Sequence, residues 1–284
     1  IDDHLMGITH VVRGSEYLSS APKYDLLYQG FGWEIPTYVH CSPVMRDAQN
    51  KMSKRHGDPS YEDLKAQGYL TEAILNYVAL LGWSPRGELA EQEIFDLQGL
   101  VQAFDLGGVS KSPAIFDIDK LTHFNALYLR AMTPEQFLAV AEPYIKQGCK
   151  TCDPALIAPL LQARCEKLTE IPEKVDFFDQ LPDYSIDLFT NKKSKCSPDV
   201  AKDMLSSAIT VLGAVHTWND WNIKEVLSGL AEGLDVKTAT LMWPVRIAAA
   251  GKAVTPGGAV EICRILGKEE TIRRLKLGLE KLNG

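Results

Sequence analysis

The chain has 284 residues, of which 45% are hydrophobic and 24% are charged. This length allows two domains with a substantial core, and the composition is that of an ordinary globular protein. Thirty basic against 37 acidic residues give a net charge of −7, which argues against indiscriminate nucleic-acid binding but leaves room for a local basic face. No apolar run approaches the roughly 18 residues that a membrane span needs.

The six cysteines are scattered, at positions 41, 149, 152, 165, 196 and 263, without the spacing of a disulfide framework. Together with the lack of a secretory signal, this predicts a reducing, cytoplasmic location. Cys149 and Cys152 form a single Cys-X-X-Cys pair with no second pair and no histidine nearby. Structural zinc sites usually have four ligands, so we predict no bound metal.

The first 50 residues have an α/β pattern. A β-branched run over 8–12 predicts a short buried strand, Pro22 to Gly30 predicts a helix, and Tyr38 to Cys41 predicts a second strand. These elements make one βαβ unit, which is too small to be a complete nucleotide-binding sheet. Arg13 follows the first strand, at the carboxyl end where α/β sheets bind ligands, and its guanidinium can grip a carboxylate bidentately.

A basic loop follows this unit. Residues 51–55 read KMSKR, with three cations in five residues, and Gly57 and Pro59 then interrupt regular structure. Such a loop suits chemistry at a phosphate, because ammonium groups stabilise charge that develops on phosphoryl oxygens and on a leaving pyrophosphate. The alternative is a solvated basic turn, since short runs of this kind are common.

From Ser60 onward the pattern is helical. Capping residues and periodic apolar positions predict helix starts at Thr71, Asp119, Thr133 and Asp153, with Pro134 and Pro154 at first helical positions. Further amphipathic stretches are Val200–Val215, Ile223–Leu234, Ala259–Leu266 and Thr271–Leu282. There is no repeat of fixed period. We therefore predict a mainly α protein with a small α/β part, its helices forming two bundles rather than a solenoid.

Several of these stretches carry a family resemblance. They are residues 2–14 (DDHLMGITHVVRG), 51–55 (KMSKR), 76–84 (NYVALLGWS), 109–117 (VSKSPAIFD) and 244–246 (PVR). The chain resembles bacterial-type glutamyl-tRNA synthetase, a class I aminoacyl-tRNA synthetase, and residues 51–55 resemble the second signature of that class. The resemblance runs over nearly the whole chain and is weaker between about residues 135 and 240.

The resemblance implies a division of the chain. Residues 1–59 would be the end of a Rossmann-type catalytic domain, 60–130 a helical domain that contacts the tRNA stem, and 131–178 and 179–284 two helical anticodon-binding subdomains. The first class I signature, His-hydrophobic-Gly-His, is absent from the sequence. This predicts a C-terminal portion without the ATP-binding half, and a chain that cannot activate glutamate alone. Glutaminyl-tRNA synthetase is disfavoured, because its anticodon region is a β-barrel.

The resemblance also implies roles for individual residues in the reaction. Lys54 would stabilise the transition state of glutamate activation, with Lys51 and Arg55 as electrostatic support. Arg13 would hold the glutamate and Tyr17 would line its pocket, although Arg13 could instead form a salt bridge, for instance with Glu16. The ATP-binding loop would comprise Lys51, Met52, Ser53, Lys54 and Arg55.

For the anticodon, the resemblance implies that Arg164 reads the last base. Bidentate arginine contacts suit discrimination between base edges, and single-stranded loop bases are the usual target of RNA readers. The alternative is an exposed helical arginine paired with Glu166 or Glu170. Arg246, Thr255 and Pro256 would form a second anticodon-contacting region, in which Gly258 stands where the family has a leucine. Three tryptophans, Trp218, Trp221 and Trp243, could stack on bases but are expected mainly in the core.

The predicted function is ATP-dependent ligation of glutamate to its tRNA, with Mg²⁺ accompanying ATP. The implied partners are glutamate tRNA, glutamate and ATP, and we expect a monomer. The rival is a non-catalytic module that only binds the tRNA anticodon. The basic loop argues against that rival, because an anticodon reader has no use for it.

Overall fold

The computed structural model describes residues 1–284 and is mainly helical, with two compact units, Ile1–Tyr128 and Leu129–Gly284. None of its helices is long and apolar enough to cross a membrane. The elements of the first unit are α1 Asp2–Leu5, β1 His10–Gly14, α2 Ala21–Phe31, β2 Thr37–Cys41, β3 Val44–Met45, α3 Tyr61–Ala66, α4 Thr71–Gly82, α5 Leu97–Ala103, β4 Ala114–Ile115 and α6 Ile118–Ala131, the last of which runs past the boundary.

The predicted βαβ unit is confirmed. Strands β1 and β2 pair in parallel, from His10 opposite Thr37 to Gly14 opposite Cys41, with α2 between them. Strand β1 begins two residues later than predicted, and the prediction that it is buried is wrong, because none of its residues is buried. Helix α2 ends at Gly32 rather than Gly30, because Gly32 adopts φ +68°, the left-handed conformation that favours glycine at a helix end.

This βαβ unit contains almost no core of its own. Among residues 1–50 only Pro36 is buried. Val12 on the first strand is 61% exposed, and Leu26 on the helix is 68% exposed. Two strands and one helix therefore leave a broad apolar face uncovered, as expected for a sheet of only two strands.

The helical part of the first unit has a well-formed core. Leu64 and Tyr69 pack with Ile74 and Tyr77 of α4 and with Leu121 and Phe124 of α6. Asn76 is fully buried and satisfied: its side-chain oxygen accepts from the Phe95 N–H at 2.7 Å, and its amide nitrogen donates to the Glu93 carbonyl at 2.9 Å. Because a buried amide without partners is costly, these bonds fix residues 93–95 against α4.

The second unit contains eight helices that begin in it: α7 Pro134–Gly148, α8 Pro154–Leu161, α9 Ile171–Val175, α10 Pro198–Gly213, α11 Asp220–Gly233, α12 Thr238–Ala250, α13 Ala259–Leu266 and α14 Lys268–Asn283. The predicted capping box of α7 is confirmed, since the Thr133 hydroxyl accepts from the Gln136 N–H while the Gln136 side chain accepts from the Thr133 N–H. Asp153 caps α8 through the Ala155 N–H at 2.9 Å.

Helix α12 was not predicted by the pattern of the sequence. Leu241, Val245 and Ile247 to Ala250 are all buried, and Pro244 lies inside the helix. A helix that is apolar on most sides lacks the periodic polar face by which amphipathic helices are recognised. Its neighbours α10, α11, α13 and α14 pack around it.

A buried arginine ties three segments of the second unit together. Arg274 on α14 is 1% exposed. Its guanidinium donates to the carbonyls of Phe177 at 2.7 Å, Ala249 at 2.9 Å and Phe178 at 3.0 Å, and its Nε lies 2.6 Å from Glu270. Four of the five guanidinium N–H groups therefore have a recorded acceptor, which offsets the cost of burying the charge.

One pair of cysteines differs from the expectation of free thiols. Cys149 and Cys152 form a disulfide, while Cys165, Cys196 and Cys263 are buried free thiols. Burial raises the pKa of Cys165 and of Cys263 to about 12, so both behave as small apolar side chains.

Candidate functional site

The basic loop of residues 51–55 is attached to a second motif of the sequence, residues 109–117. Strand β3, which precedes the loop, pairs in parallel with β4, so that Val44 lies opposite Ala114 and Met45 opposite Ile115. The Met52 N–H then donates to the Val44 carbonyl at 3.1 Å, which folds the loop back on β3. The basic loop is thus held next to the second motif by a short parallel ladder between β3 and β4.

Within the loop, hydrogen bonds hold the backbone while the cations stay exposed. The Ser53 N–H donates to Asp58 Oδ2 at 2.7 Å, and the Ser53 hydroxyl accepts from the Arg55 N–H at 3.3 Å. Lys54 begins a short 3-10 turn that ends at Gly57, where φ is +82°. Lys51, Lys54 and Arg55 are all exposed, so the loop presents three positive charges on an ordered backbone.

Arg13 lies at the end of β1 among aromatic rings. Its guanidinium carbon is 4.7 Å from the centre of the Tyr17 ring and 5.5 Å from that of Tyr24. Tyr17 follows in a short 3-10 turn, and Tyr24 belongs to α2. Rings at these distances orient a guanidinium by cation–π attraction and leave its N–H groups available.

A cavity of about 420 Å³ opens beside Arg13. Its lining is largely aromatic and apolar, from β1, α2 and β2: Val11, Arg13, Tyr24, Leu27, Tyr28 and Tyr38. Burial, followed by the charge of Asp25, raises the pKa of Tyr38, so this hydroxyl stays protonated and can donate. The lining also includes the Asp3 carboxylate, so Arg13 and three tyrosine hydroxyls face one acidic group. A largely apolar cavity with a few polar groups of both charges suits a small ligand that carries a carboxylate and an ammonium group.

In the second unit, the predicted anticodon residues converge. Arg164 ends a short 3-10 turn after α8, rather than lying within a helix as expected, and its Nη1 donates to the carbonyl of Thr255 at 3.0 Å and also to that of Pro256. The side chain of Glu170, one alternative partner, lies 2.9 Å from Lys174. Lys174 in turn donates to the Arg164 carbonyl at 2.9 Å and so fixes the turn.

Arg246 approaches the same loop from α12. Its Nη1 donates to the Thr255 hydroxyl at 2.8 Å and its Nη2 to the Ala253 carbonyl at 2.9 Å. The guanidinium carbon lies 4.6 Å from the centre of the Trp243 ring. Burial and the positive charge of Arg164 lower the pKa of Arg246, which indicates that the two guanidinium groups share one region of positive potential.

These residues differ in solvent exposure, and this difference indicates which of them can contact a ligand. Thr255 and Pro256 are buried and Arg246 is half-buried, whereas Arg164 and Val254 are exposed, Val254 by 86%. Arg246 has both terminal nitrogens bound to protein, while the structure records protein partners for Arg164 only at Nη1. Arg164 is thus the side chain with N–H groups left for a ligand, and Arg246 shapes the loop.

The sequence reasoning missed part of this site. Trp243 was expected mainly as a core residue, and its indole N–H does donate to the buried side of the unit, to the Leu188 carbonyl at 3.0 Å, but its ring also supports Arg246. The spacing Trp243–Arg246, three residues apart on one helix, is the signal that could have indicated this pair. Gly258 begins α13, and its N–H donates to Glu261.

Comparison with known families agrees with the two units. Residues 1–123 match the family described as tRNA synthetases class I (E and Q), catalytic domain, and residues 128–279 match the family described as anticodon binding domain. These matches define a class I aminoacyl-tRNA synthetase with its anticodon-binding domain.

Similarity to individual relatives indicates the family within this class. The chain is 51% identical over 283 residues to a glutamate–tRNA ligase of Clostridium tetani and 50% identical to one of Clostridium botulinum, covering 99% of the chain in both cases. A crystal structure of a glutamate tRNA ligase from Elizabethkingia meningosepticum in complex with its amino acid aligns with a TM-score of 0.84 and 30% identity over 99% of the chain and 59% of that protein.

The chain therefore belongs to the glutamyl-tRNA synthetase family. It spans 57% of the length of the Clostridium tetani relative and 58% of that of the Clostridium botulinum relative.

Proposed function

We propose that the chain serves a glutamate–tRNA ligase, in which it supplies the basic ATP loop and the recognition of the anticodon. One observation carries the proposal. Arg164 and Arg246 converge on Thr255 in the unit that matches an anticodon-binding domain, although 91 residues separate Arg164 from Thr255. The basic loop belongs to the unit that matches the catalytic domain.

In the activation step, the glutamate carboxylate would attack the α-phosphorus of ATP, which enters as its Mg²⁺ complex, and pyrophosphate would leave. Lys54 would stabilise the charge that develops on the phosphoryl oxygens, and Lys51 and Arg55 would raise the local positive potential. Met52 and Ser53 would shape the loop, Ser53 through its bonds to Asp58 and Arg55. In the second step, glutamate would pass to the terminal ribose of the tRNA.

Arg13 would hold the carboxylate of glutamate in the cavity beside β1. A guanidinium binds a carboxylate through two parallel N–H bonds, and the rings of Tyr17 and Tyr24 would keep it in the required orientation. Tyr17 would line the same pocket. The arrangement supports this role better than the alternative ion pair with Glu16, because Arg13 lines the cavity.

For the tRNA, we propose that residues 60–130 contact its stem and that the subdomains 131–178 and 179–284 bind its anticodon loop. Arg164 would read the last anticodon base through its remaining N–H groups. Arg246, Thr255 and Pro256 would form the floor against which that base lies. We further propose that the protein works as a monomer in the cytoplasm, with tRNA, glutamate and ATP as its partners.

We also propose that these 284 residues alone do not activate glutamate, because the His-hydrophobic-Gly-His signature is absent from them. The test is glutamate-dependent ATP–pyrophosphate exchange. We expect none from the chain by itself, and exchange when the chain is joined to the part of the Clostridium tetani relative that it does not cover. Exchange by the chain alone would contradict this part of the proposal. No exchange by the joined protein would favour the rival, a non-catalytic anticodon-binding module.

The anticodon role is tested by binding to glutamate tRNA with the last anticodon base varied and salt titrated. We expect a change of that base to weaken binding roughly 10- to 100-fold, corresponding to about 1–3 kcal/mol for a bidentate base contact. Arg164→Ala should remove this dependence. Arg164→Lys is the matched control, since it keeps the charge but loses the planar fork. Equal binding of all four anticodon variants by the unaltered chain would refute the assignment.

A further inference from the structure

The turn between α7 and α8 holds a pair of cysteines that the proposed function does not use. Cys149 ends α7, Cys152 immediately precedes the Asp153 cap of α8, and the two are joined by a disulfide with their Cα atoms 5.6 Å apart. That separation lies within the range of ordinary disulfides. The bond closes a loop of only four residues. It therefore restricts the unfolded chain little and contributes little to the stability of the folded protein.

The shape of this turn is fixed independently of the disulfide. Asp179 accepts from the Lys150 N–H at 2.6 Å, from the Thr151 N–H at 3.1 Å and from the Thr151 hydroxyl at 2.5 Å. These bonds, the Thr151 hydroxyl first among them, lower the pKa of Asp179. Because the backbone of the turn is held by a carboxylate, the two sulfur atoms stay close whether or not they are bonded.

The two sulfur atoms have different surroundings. Cys149 is fully buried, and its Sγ lies 3.1 Å from Asp179 Oδ1. Cys152 is half-buried and lines a cavity of about 470 Å³ together with Thr151, Asp179, Glu270 and Arg273. One sulfur is therefore open to a reagent in solution, and the other is buried beside the carboxylate that holds the turn. This asymmetry is the arrangement that thiol–disulfide exchange requires.

We propose that Cys149 and Cys152 form a reversible thiol–disulfide site, with Asp179 as its positioning residue. The reaction partner is a small-molecule disulfide, such as oxidised glutathione, or the disulfide of a protein oxidoreductase. The site lies in the unit that matches the anticodon-binding domain, and the proposal does not depend on the ligase reaction.

The oxidation proceeds in two balanced steps. The Cys152 thiolate attacks one sulfur of the external disulfide, so that a mixed disulfide forms and one thiolate leaves. The Cys149 thiol then loses its proton to the solvent, and its sulfur attacks Cys152 Sγ and expels the second thiolate, which takes up a proton. Two protein thiols are oxidised and one external disulfide is reduced to two thiols. Reduction is the same sequence in reverse.

The test uses the 284-residue chain in buffers of reduced and oxidised glutathione, with the free thiols counted by alkylation and mass spectrometry. We expect the count to change by two, at Cys149 and Cys152, and to return when the buffer is reversed. Cys41→Ser is the matched control: it removes the half-buried free thiol and should leave the two-thiol change intact. The proposal would be overturned if excess reduced glutathione did not reduce the disulfide. It would also be overturned if oxidised glutathione did not oxidise the reduced pair.

Asp179→Asn tests the positioning role of the carboxylate. The amide has one acceptor oxygen where the carboxylate has two, so it cannot accept from both Lys150 and Thr151 as Asp179 does. We expect closure of the disulfide to slow about tenfold, and Asp179→Glu, which keeps two acceptor oxygens, to close faster than Asp179→Asn. An unchanged rate of closure in Asp179→Asn would overturn the role of Asp179. One equivalent of tightly held zinc in the reduced protein would overturn the redox assignment, since both thiols and Asp179 lie within 4.8 Å of one another and would then be metal ligands.

Discussion

Arg164 donates from Nη1 to the backbone carbonyl of Thr255, 91 residues further along the chain, at 3.0 Å. The hydroxyl of the same threonine accepts from Arg246 at 2.8 Å and donates to the Gly257 carbonyl at 2.7 Å. One buried residue thus links both arginines and sets the path of the loop that follows α12. The positions of the two guanidinium groups depend on this link.

Thr255→Val should destabilise the loop after α12, although valine has nearly the same shape as threonine. The valine methyl group replaces the hydroxyl, so Arg246 loses an acceptor and the Gly257 carbonyl loses a donor. We expect a loss of about 1–3 kcal/mol in the free energy of unfolding, measured with urea, and a loss of discrimination between anticodon bases. Thr210→Val is the matched control, because that hydroxyl is exposed and bonds only within its own helix, to the Ser206 carbonyl; its effect should stay below about 0.5 kcal/mol.

Gly251→Ala should disturb the start of the same loop. Gly251 ends α12 at φ +65°, and an added Cβ would lie 2.9 Å from both Pro182 and Tyr184. We expect a loss of about 2 kcal/mol in urea unfolding, from backbone strain together with the contacts. Gly229→Ala, within α11 and with open space around the new carbon, should instead add about 0.5–1 kcal/mol. Equal effects of the two substitutions would contradict this account.

Arg274→Met should lower the free energy of unfolding of the second unit more than a surface substitution does. The substitution leaves the carbonyls of Phe177, Phe178 and Ala249 without their donor in a buried position. We expect a loss of roughly 3–5 kcal/mol in the free energy of unfolding. Arg273→Met is the matched control: that side chain is 56% exposed, although it also pairs with Glu270, and its loss should be about 0–1 kcal/mol.

Acid should lower the free energy of unfolding, in part by protonating Glu270. Hydrogen bonds from Arg273 and then Arg274 lower the pKa of Glu270 to about 2, from an ordinary 4.5. A depressed folded-state pKa stabilises the protein fully above pH 4.5, and this contribution is lost as the pH falls towards 2. Glu270→Gln should therefore lower stability at pH 6, and the difference from the unaltered chain should shrink between pH 4.5 and 2. A difference that stays constant over that range would disprove the link.

Lys54→Ala should impair activation of glutamate far more than binding of tRNA. In the protein that joins this chain to the uncovered part of the Clostridium tetani relative, we expect ATP–pyrophosphate exchange to fall about 10²- to 10³-fold, the usual effect of removing one group that stabilises transition-state charge. Lys146→Ala removes an exposed lysine paired with Glu142 in the other unit and should leave the exchange rate unchanged. Similar losses for both variants would mean that Lys54 has no special role.

Local sequence patterns were sufficient to predict much of the fold. The capping box at Thr133, the Asp153 cap and the βαβ order were predicted from neighbouring residues, because caps and hydrophobic periodicity depend on a few adjacent positions. Helix α12 was not, since burial on most sides removes the polar face that marks a helix. The motif residues of the anticodon region were likewise found by resemblance, without any indication of how they meet.

Sequence alone determined the family, the mainly helical class and the position of the basic loop, because these depend on residue types in fixed local order. Tertiary structure decided the relationships over long distances: the pairing of β3 with β4, the convergence of Arg164 and Arg246 on Thr255, and the bonds of Arg274 to residues 177–178 and to Ala249. A hydrogen bond between residues 91 apart depends on the packing of every helix between them. No local pattern in the sequence carries that information.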